Sequence, residues 1–275
     1  MAAQAMLFEG YGAPEPPERF ALLKVRELER SSILSKGSGS LGWCDYTLNP
    51  YVGCGFNCSY CYATFFQADE ERRRTWGSWV DVKINAAREL LRRHDLRGKT
   101  IFMSSATDPY QPLEAKVGLT RAILEVLVEK QPKLIVQTRG PLVTRDINLI
   151  KRIKGARVNM SITTDDDEVR KVFEPSCASI ERRFEAITEV KAAGIETGIS
   201  VIPMLPIRDA RAFAKKISAT NADHVSIGCF NISDRPFAAS TREEALALAR
   251  DRGWDIEAYA RTKRAILRNL PDRNP

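Results

Sequence analysis

The sequence has only two histidines, no long hydrophobic run and too few cysteines for a disulfide framework. Two histidines, His94 and His224, and six cysteines occur in 275 residues, a composition unlike the disulfide framework of a small secreted protein. No segment approaches the roughly 18 apolar residues that a membrane-spanning helix needs, and the first residues lack the basic start and apolar run of a secretory signal. We therefore expect a soluble protein that is not exported, has no membrane partner and works in the cytoplasm.

The charge balance is moderately basic. The chain has 42 Lys and Arg against 35 Asp and Glu, which gives a formal charge of +7 and a pI near 9.1. Such an excess attracts polyanions, so nucleic acid is a plausible partner. Basic runs such as residues 72–74 and 151–154 are also typical of solvated helix faces, and charge alone does not identify the substrate.

Three cysteines, Cys54, Cys58 and Cys61, are separated by three and then two residues. This spacing predicts three thiolates around one point on a short loop, one protein ligand short of a closed tetrahedral or cuboidal metal site. Closed structural sites use four protein ligands, whereas an open position is typical of a catalytic site. The cysteine spacing therefore favours catalysis.

Zinc and iron remain alternative metals for this loop. Neither histidine is near the cysteines in the sequence, and the best fourth ligand for zinc is Cys44, ten residues before Cys54. A structural zinc knuckle, or a coincidence of buried cysteines, is the alternative interpretation. We favour an iron–sulfur cluster.

Apolar β-type runs alternate with amphipathic helical stretches after residue 41, which predicts six strand-then-helix repeats in one catalytic domain. The predicted strands are 43–48, 100–105, 133–138, 157–163, 195–202 and 224–229. The predicted helices are 84–93, 120–130, 144–153, 178–193, 209–219 and, as one or two helices, 242–268. Apolar residues follow one another within the strands, which suits a parallel sheet covered by helices. We expect an α/β barrel or a doubly wound sheet.

Three regions are expected along the chain. Residues 1–40 are predicted to be an irregular lead with one short helix, at 20–31, and a flexible link at 35–40. Residues 41–231 form the α/β core, and residues 232–275 a helical segment packed on it. In such folds ligands bind where the parallel strands end, and the cysteine loop and several polar residues follow predicted strands.

The motif Cys-x-x-x-Cys-x-aromatic-Cys after the first strand resembles the radical S-adenosylmethionine (SAM) superfamily, with Tyr60 at the aromatic position. Together with Ala-Thr-Asp-Pro at the second strand end, it is similar to the spore photoproduct lyase and DNA repair photolyase-like branch. The resemblance implies a partial (β/α)6 barrel of parallel strands with outer helices. It also implies a [4Fe-4S] cluster on Cys54, Cys58 and Cys61, SAM as cofactor, and an electron donor such as flavodoxin or ferredoxin.

The same resemblance implies roles for further residues. Tyr60 and Tyr62 match two catalytic tyrosines near the damaged base, and the cofactor-binding positions are Thr107, Asp108, Arg139 and Ser161. Each residue also has an ordinary structural interpretation, as a packing aromatic, a turn or cap hydroxyl, or a surface cation.

One departure from the lyase pattern concerns the hydrogen donor. Ser105 stands where the lyase has a hydrogen-donating cysteine, and a serine O–H is too strong to quench a carbon radical. Cys229, at the sixth strand end, is the best placed catalytic alternative and Cys44 the second, although Cys229 is otherwise expected to be a small core residue. Cys177 has no evident role in the sequence.

The leading hypothesis is a radical SAM enzyme that removes hydrogen from a substrate, a damaged or modified nucleic-acid base, since aromatics can stack on an extruded base. A second hypothesis keeps this chemistry but assigns a peptide or small metabolite as substrate. A third is a non-enzymatic zinc or iron–sulfur binding module.

Overall fold

A seven-stranded, mostly parallel sheet is the framework of the structure, a computed structural model that describes residues 23–232 and 240–271. Its strands, numbered in chain order, are β2 (Leu34–Lys36), β3 (Tyr46–Leu48), β6 (Thr100–Met103), β7 (Lys133–Thr138), β8 (Arg157–Ser161), β9 (Glu196–Val201) and β10 (His224–Ile227). The order across the sheet is β10-β9-β8-β7-β6-β3-β2, and only β2 runs antiparallel to its neighbour. The sheet is an open, partial barrel, because no pairing closes it within the described ranges.

The six parallel strands confirm the six predicted strands, with ends that differ by a few residues. Their inner positions, such as Leu134, Val136, Val158 and Met160, have no exposed surface. Along β7 and β8 buried residues alternate with half-buried ones, so one face of the sheet is closely packed and the other is only partly covered. The α/β class is therefore confirmed.

A second, three-stranded sheet was not predicted. It consists of β1 (Lys24–Leu28), β4 (Tyr51–Val52) and β5 (Trp79–Lys83), in the order β1-β5-β4. The predicted helix at 20–31 is wrong over its described part, because residues 24–28 pair in parallel with β5 instead. Pairing with a strand more than fifty residues away outweighs a weak local helical spacing.

The predicted flexible link at 35–40 is also wrong. Residues 34–36 form β2, which pairs with β3, and Gly39–Leu41 forms a turn of 3₁₀-helix. Serines and glycines alone predicted flexibility, but edge pairing to β3 orders this segment. The predicted irregular lead before residue 23 lies outside the described residues.

The helices of the described residues lie between and after the strands. They are α1 (Glu70–Arg74), α2 (Ala86–Leu91), α3 (Glu114–Val117), α4 (Leu119–Lys130), α5 (Ile147–Ile150), α6 (Asp167–Phe173), α7 (Ile180–Ala192), α8 (Ala210–Ala219), α9 (Glu243–Arg250) and α10 (Ile256–Asn269). The predicted helix at 144–153 is shorter than expected, since Pro141–Asp146 is 3₁₀-helix and only α5 is α-helical. The short helices α1, α3 and α6 were not predicted.

The predicted helical segment at 242–268 forms two helices, α9 and α10, which confirms one of the two predicted alternatives. Helix α10 packs on α8, and the Trp254 indole N–H, just before α10, donates to the Met204 carbonyl at 3.0 Å. Residues 233–239 and 272–275 of the predicted C-terminal segment lie outside the described residues. Among the helices that are described, none has the length and apolar character needed to cross a membrane.

Gly53, which precedes the first cysteine of the loop, provides a test of how tightly the small sheet packs there. Its φ is +84°, and a Cβ would lie 2.6 Å from the Trp79 carbonyl oxygen and ring. We expect Gly53→Ala to lower the free energy of unfolding by roughly 2–4 kcal/mol, the combined cost of left-handed backbone and overpacking. Urea unfolding measures this change.

Gly98→Ala is the matched control, because Gly98 has φ +72° but nothing within 4 Å of its Cβ position. It should incur only the backbone cost, about 1–2 kcal/mol. Equal losses in the two variants would show that Trp79 does not constrain the loop.

Candidate functional site

The cysteine loop, residues 54–61, follows β4 and is shaped by two tight turns. The Asn57 N–H donates to the Cys54 carbonyl at 3.4 Å, and the Cys61 N–H donates to the Cys58 carbonyl at 3.1 Å. Asn57 has a φ of 51°, a left-handed conformation that asparagine tolerates better than most residues. The Ser59 N–H donates to the Phe173 carbonyl at 2.9 Å, which fastens the loop to the end of α6.

The three candidate ligand thiols lie in a largely buried environment and influence one another. Cys54 and Cys58 are buried and Cys61 is half-buried. Burial raises the pKa of Cys61 to about 11, and the charge of Cys58 contributes next. Within residues 23–232 and 240–271, no three His, Cys, Asp or Glu side chains converge closely enough to hold one metal ion. A [4Fe-4S] cluster does not need such convergence, because each of its thiolates binds a different iron, so ligation by these three cysteines stays a prediction.

Cys58 has two close contacts from outside the cysteine loop. Its sulfur is 3.9 Å from the sulfur of Cys177 and accepts a hydrogen bond from Nη1 of Arg139 at 3.2 Å. The hydrogen bond with Cys177 is the main cause that lowers the pKa of Cys58, and Arg139 adds to it against the opposing effect of burial. Cys177 is thus a site residue that the sequence did not reveal, since it comes from the loop between α6 and α7, far along the chain.

A buried carboxylate, that of Glu174, joins the arginine to the rest of the site. Oε1 of Glu174 accepts from Arg139 Nη1 and from the Thr163 hydroxyl, both at 2.8 Å, and Tyr60 also donates to it. Oε2 accepts from Arg183, and both Glu174 and Arg183 have fully buried side chains. Burial alone would raise the pKa of Glu174, but Arg183 and then Arg139 outweigh it and hold the pKa at about 2.

Asp108 and Thr107 lie at the end of β6 and both brace the loops around them. The Asp108 carboxylate is buried and accepts from the Tyr110 N–H at 2.9 Å, the Thr138 hydroxyl at 2.6 Å and the Arg139 N–H at 2.8 Å. The Thr107 hydroxyl, half-buried, donates to the Gly53 carbonyl at 2.6 Å. Asp108 therefore fixes the backbone of Arg139, and Thr107 fixes the residue before Cys54.

Ser161 ends β8 and is buried. Its hydroxyl accepts from the Gln137 amide at 2.9 Å, and its carbonyl accepts from Arg183 Nη1 at 3.2 Å. The edge of the sheet formed by the carboxyl ends of the parallel strands is here called the rim, and it carries the cysteine loop. The sequence predicted that polar residues would gather there, and four of them do: Thr107, Asp108, Arg139 and Ser161.

The two tyrosines of the motif have different surroundings. Tyr60 is buried, and its hydroxyl accepts from Arg139 as well as donating to Glu174. Tyr62 is 38% exposed, and its hydroxyl donates to the Ser105 carbonyl.

The other two candidate cysteines, Cys229 and Cys44, lie at opposite ends of the parallel strands. Cys229 follows β10 at the same edge as the cysteine loop and is exposed, so its interpretation as a small core residue is wrong. Cys44 precedes β3 at the other edge, where its thiol donates to the Leu41 carbonyl at 3.2 Å. Cys44 is therefore not placed to act at the rim, either as a fourth metal ligand or as a hydrogen donor.

The residues of the rim fit a cluster and a polar cofactor. Each thiolate of a [4Fe-4S] cluster binds its own iron, so three cysteines need not converge on a single ion. The hydroxyl oxygens of Ser59 and Ser104 are buried without a hydrogen-bond partner in the part of the chain that the structure describes, and such groups are normally paired. Ser59 lies within the cysteine loop, and Ser104, with φ 133°, directly follows β6. Backbone strain of this kind is concentrated at functional sites.

The profile of the Radical SAM superfamily matches residues 48–217. An uncharacterized protein of Methanocaldococcus jannaschii is 35% identical over 161 residues, which are 58% of this chain and 61% of that protein. An uncharacterized protein of Mycobacterium bovis is 32% identical over 169 residues, 58% of this chain and 50% of that protein.

A protein of Pseudomonas phage M6 named a radical SAM Nα-GlyT isomerase is 26% identical over 186 residues, 65% of this chain and 38% of that protein. The chain therefore spans between 38% and 61% of the length of these curated relatives. A structure of spore photoproduct lyase complexed with dinucleoside spore photoproduct superposes with a TM-score of 0.56 at 16% identity and covers 97% of this chain and 73% of that chain. This last likeness concerns the fold.

The bracing role of Asp108 can be tested by Asp108→Asn. One carboxylate oxygen would become an NH₂ that faces either the Arg139 N–H or the Tyr110 N–H and Thr138 hydroxyl, donor against donor, so we expect a loss of about 1–3 kcal/mol in the free energy of unfolding. Urea unfolding measures it. Asp95→Asn is the control, because Asp95 pairs with Arg93 at the exposed surface and should change stability little. A stable Asp108→Asn protein would contradict the bracing role.

Proposed function

This chain belongs to the radical S-adenosylmethionine superfamily, and on that basis we propose that Cys54, Cys58 and Cys61 hold its [4Fe-4S] cluster and that its substrate is a nucleic-acid base. The family's cofactors are this cluster and SAM. Cys54, Cys58 and Cys61 would hold the cluster, which would supply the electron for reductive cleavage of SAM, the chemistry by which this family removes a substrate hydrogen. The observation that carries the proposal is the cysteine loop at the carboxyl ends of parallel strands, within the residues that match the family.

The chain's own residues would bind and orient the cofactor. Thr107 and Ser161 offer hydroxyls at two strand ends, and Arg139 offers a guanidinium that can bind a carboxylate. Asp108 would act indirectly, by fixing the Arg139 backbone. Burial of Cys54, Cys58 and Tyr60 excludes water from one side of the loop.

An exposed aromatic surface beside the cysteine loop supports a nucleic-acid substrate. Tyr62, Phe65 and Phe66, here called the aromatic surface, lie in the 3₁₀-helix Tyr62–Phe66 that follows Cys61. They are 38%, 39% and 58% exposed. Phe66 meets both other rings edge-to-face, with centroids 6.3 Å and 5.7 Å apart. Exposed rings at the mouth of a site can stack on bases of a single strand or on an extruded base.

Charge and the comparisons support the same substrate class. A formal charge of +7 attracts a polyanion. A similar fold holds a dinucleoside photoproduct in spore photoproduct lyase, which is a nucleic-acid fragment. The lyase reaction itself is not proposed, because Ser105 cannot supply the hydrogen atom that its cysteine counterpart supplies.

Cys229 is our candidate for the hydrogen donor. It is exposed at the end of β10, on the rim that carries the cysteine loop, and a thiol S–H is weak enough to reduce a carbon radical. An electron donor such as flavodoxin or ferredoxin would be the protein partner.

Replacement of any one candidate ligand should abolish the cofactor chemistry. We expect Cys54→Ala, Cys58→Ala and Cys61→Ala each to lose bound iron and the reductive cleavage of SAM, since two thiolates cannot hold the cluster with its open iron in place. Iron per chain and 5′-deoxyadenosine formed under anaerobic reduction measure the effect. Cys44→Ala, at the opposite edge of the sheet, is the control and should keep both. Full iron and full cleavage in any of the three variants would remove that cysteine from the ligand set.

The aromatic surface can be tested by Phe66→Ala. We expect the affinity for a single-stranded oligonucleotide to fall by roughly 1–3 kcal/mol, the usual contribution of one stacked base. Fluorescence anisotropy at fixed salt measures the affinity. Trp43→Ala is the matched control, since Trp43 is also an exposed aromatic, at 53%, but precedes β3 at the other edge. Equal affinity in the unaltered protein, Phe66→Ala and Trp43→Ala, with no dependence on salt, would favour a peptide or small metabolite as substrate.

A further inference from the structure

Arg139 contacts a proposed cluster ligand directly. Its Nη1 lies 3.2 Å from the sulfur of Cys58, and its guanidinium carbon is 5.5 Å from the centroid of the Tyr60 ring. The side chain is only 16% exposed, so solvent screens its charge weakly. A fixed, poorly screened cation therefore lies against one sulfur of the cysteine loop.

Two further residues set the orientation of this cation. Glu174 accepts from the same Nη1 at 2.8 Å, and Asp108 accepts from the Arg139 N–H at 2.8 Å. Glu174 is in turn held by Arg183, whose Nε donates to the Ala178 carbonyl at 3.1 Å. Asp108 thus fixes the backbone of Arg139, and Glu174 fixes its guanidinium.

We propose that Arg139 raises the reduction potential of the cluster through its hydrogen bond to Cys58, and that Glu174 is a positioning residue that holds Arg139 there and partly offsets its charge. This inference rests on the proposed ligation by Cys58. Reduction adds negative charge to a cluster, and hydrogen bonds to its sulfurs and nearby cations stabilise that added charge. A nearby carboxylate has the opposite effect, because it repels the added electron.

The proposal requires potential shifts of opposite sign from the two members of the ion pair. Arg139→Gln removes the cation and should move the potential to more negative values, with the equilibrium constant for one-electron reduction falling about tenfold, or about 59 mV. Glu174→Gln keeps an oxygen that can accept from Arg139 but removes the negative charge, so the potential should become more positive. General loosening of the loop would shift both variants in the same direction.

The experiment is a redox titration of this chain with its cluster reconstituted anaerobically, in which electron paramagnetic resonance measures the amount of reduced cluster at each potential. Arg121→Gln is the control, because Arg121 also pairs with a fully buried carboxylate, Asp146 at 2.7 Å, but lies on α4. Its potential should equal that of the unaltered protein. Arg139→Lys is the substitute variant if Arg139→Gln does not fold. It keeps the charge but loses the planar donor fork, so its negative shift of the potential should be smaller.

Two results would overturn the proposal: a potential that does not change in Arg139→Gln or Arg139→Lys, or shifts of the same sign in the Arg139 and Glu174 variants. Iron content and visible absorption of the unaltered protein separate this inference from the proposed function. An unaltered protein that binds no iron would overturn the cluster assignment itself, whereas a normal cluster with unshifted potentials would overturn only the role of Arg139 and Glu174.

Discussion

The ion pair between Glu174 and its two arginines is the interaction on which the candidate site depends. An unpaired carboxylate in this fully buried position would cost several kcal/mol in lost hydration, so Glu174 requires both cations and the hydroxyls of Thr163 and Tyr60 around it. Arg139 follows β7, Arg183 belongs to α7 and Tyr60 to the cysteine loop. One carboxylate therefore ties a strand end, an outer helix and the loop into a single arrangement.

The parallel sheet makes this arrangement possible because it brings the ends of separate strands to one rim. Asp108 after β6, Arg139 after β7, Ser161 at the end of β8 and Cys229 after β10 lie at that edge. The small sheet adds the other half of the support. Its strand β4 leads directly into the cysteine loop, and the Trp79 ring of β5 packs against Gly53. The loop is thus supported from two sheets, although only one of them was expected.

The two sides of the cysteine loop differ in chemistry. Towards the protein lie buried groups with strong charges, Arg139 and Glu174, together with the thiol of Cys177. Towards solvent lies the aromatic surface of Tyr62, Phe65 and Phe66. The proposed electrostatic control of the cysteine sulfurs and the proposed contact with a nucleic-acid substrate therefore involve different side chains and can be tested separately.

The sequence by itself determined the elements whose signals are local. The six parallel strands follow from continuous apolar runs, and the cysteine motif and its strand-end neighbours follow from their order along the chain. Tertiary structure decided what depends on partners far apart in sequence. Residues 24–28 became a strand because β5 pairs with them, and Cys177, Glu174 and Arg183 joined the site because α6 and α7 pack behind the cysteine loop. A buried ion pair leaves no periodic pattern in a sequence. Its charges interact strongly only in the low-dielectric interior, and that interior exists only once the chain has folded.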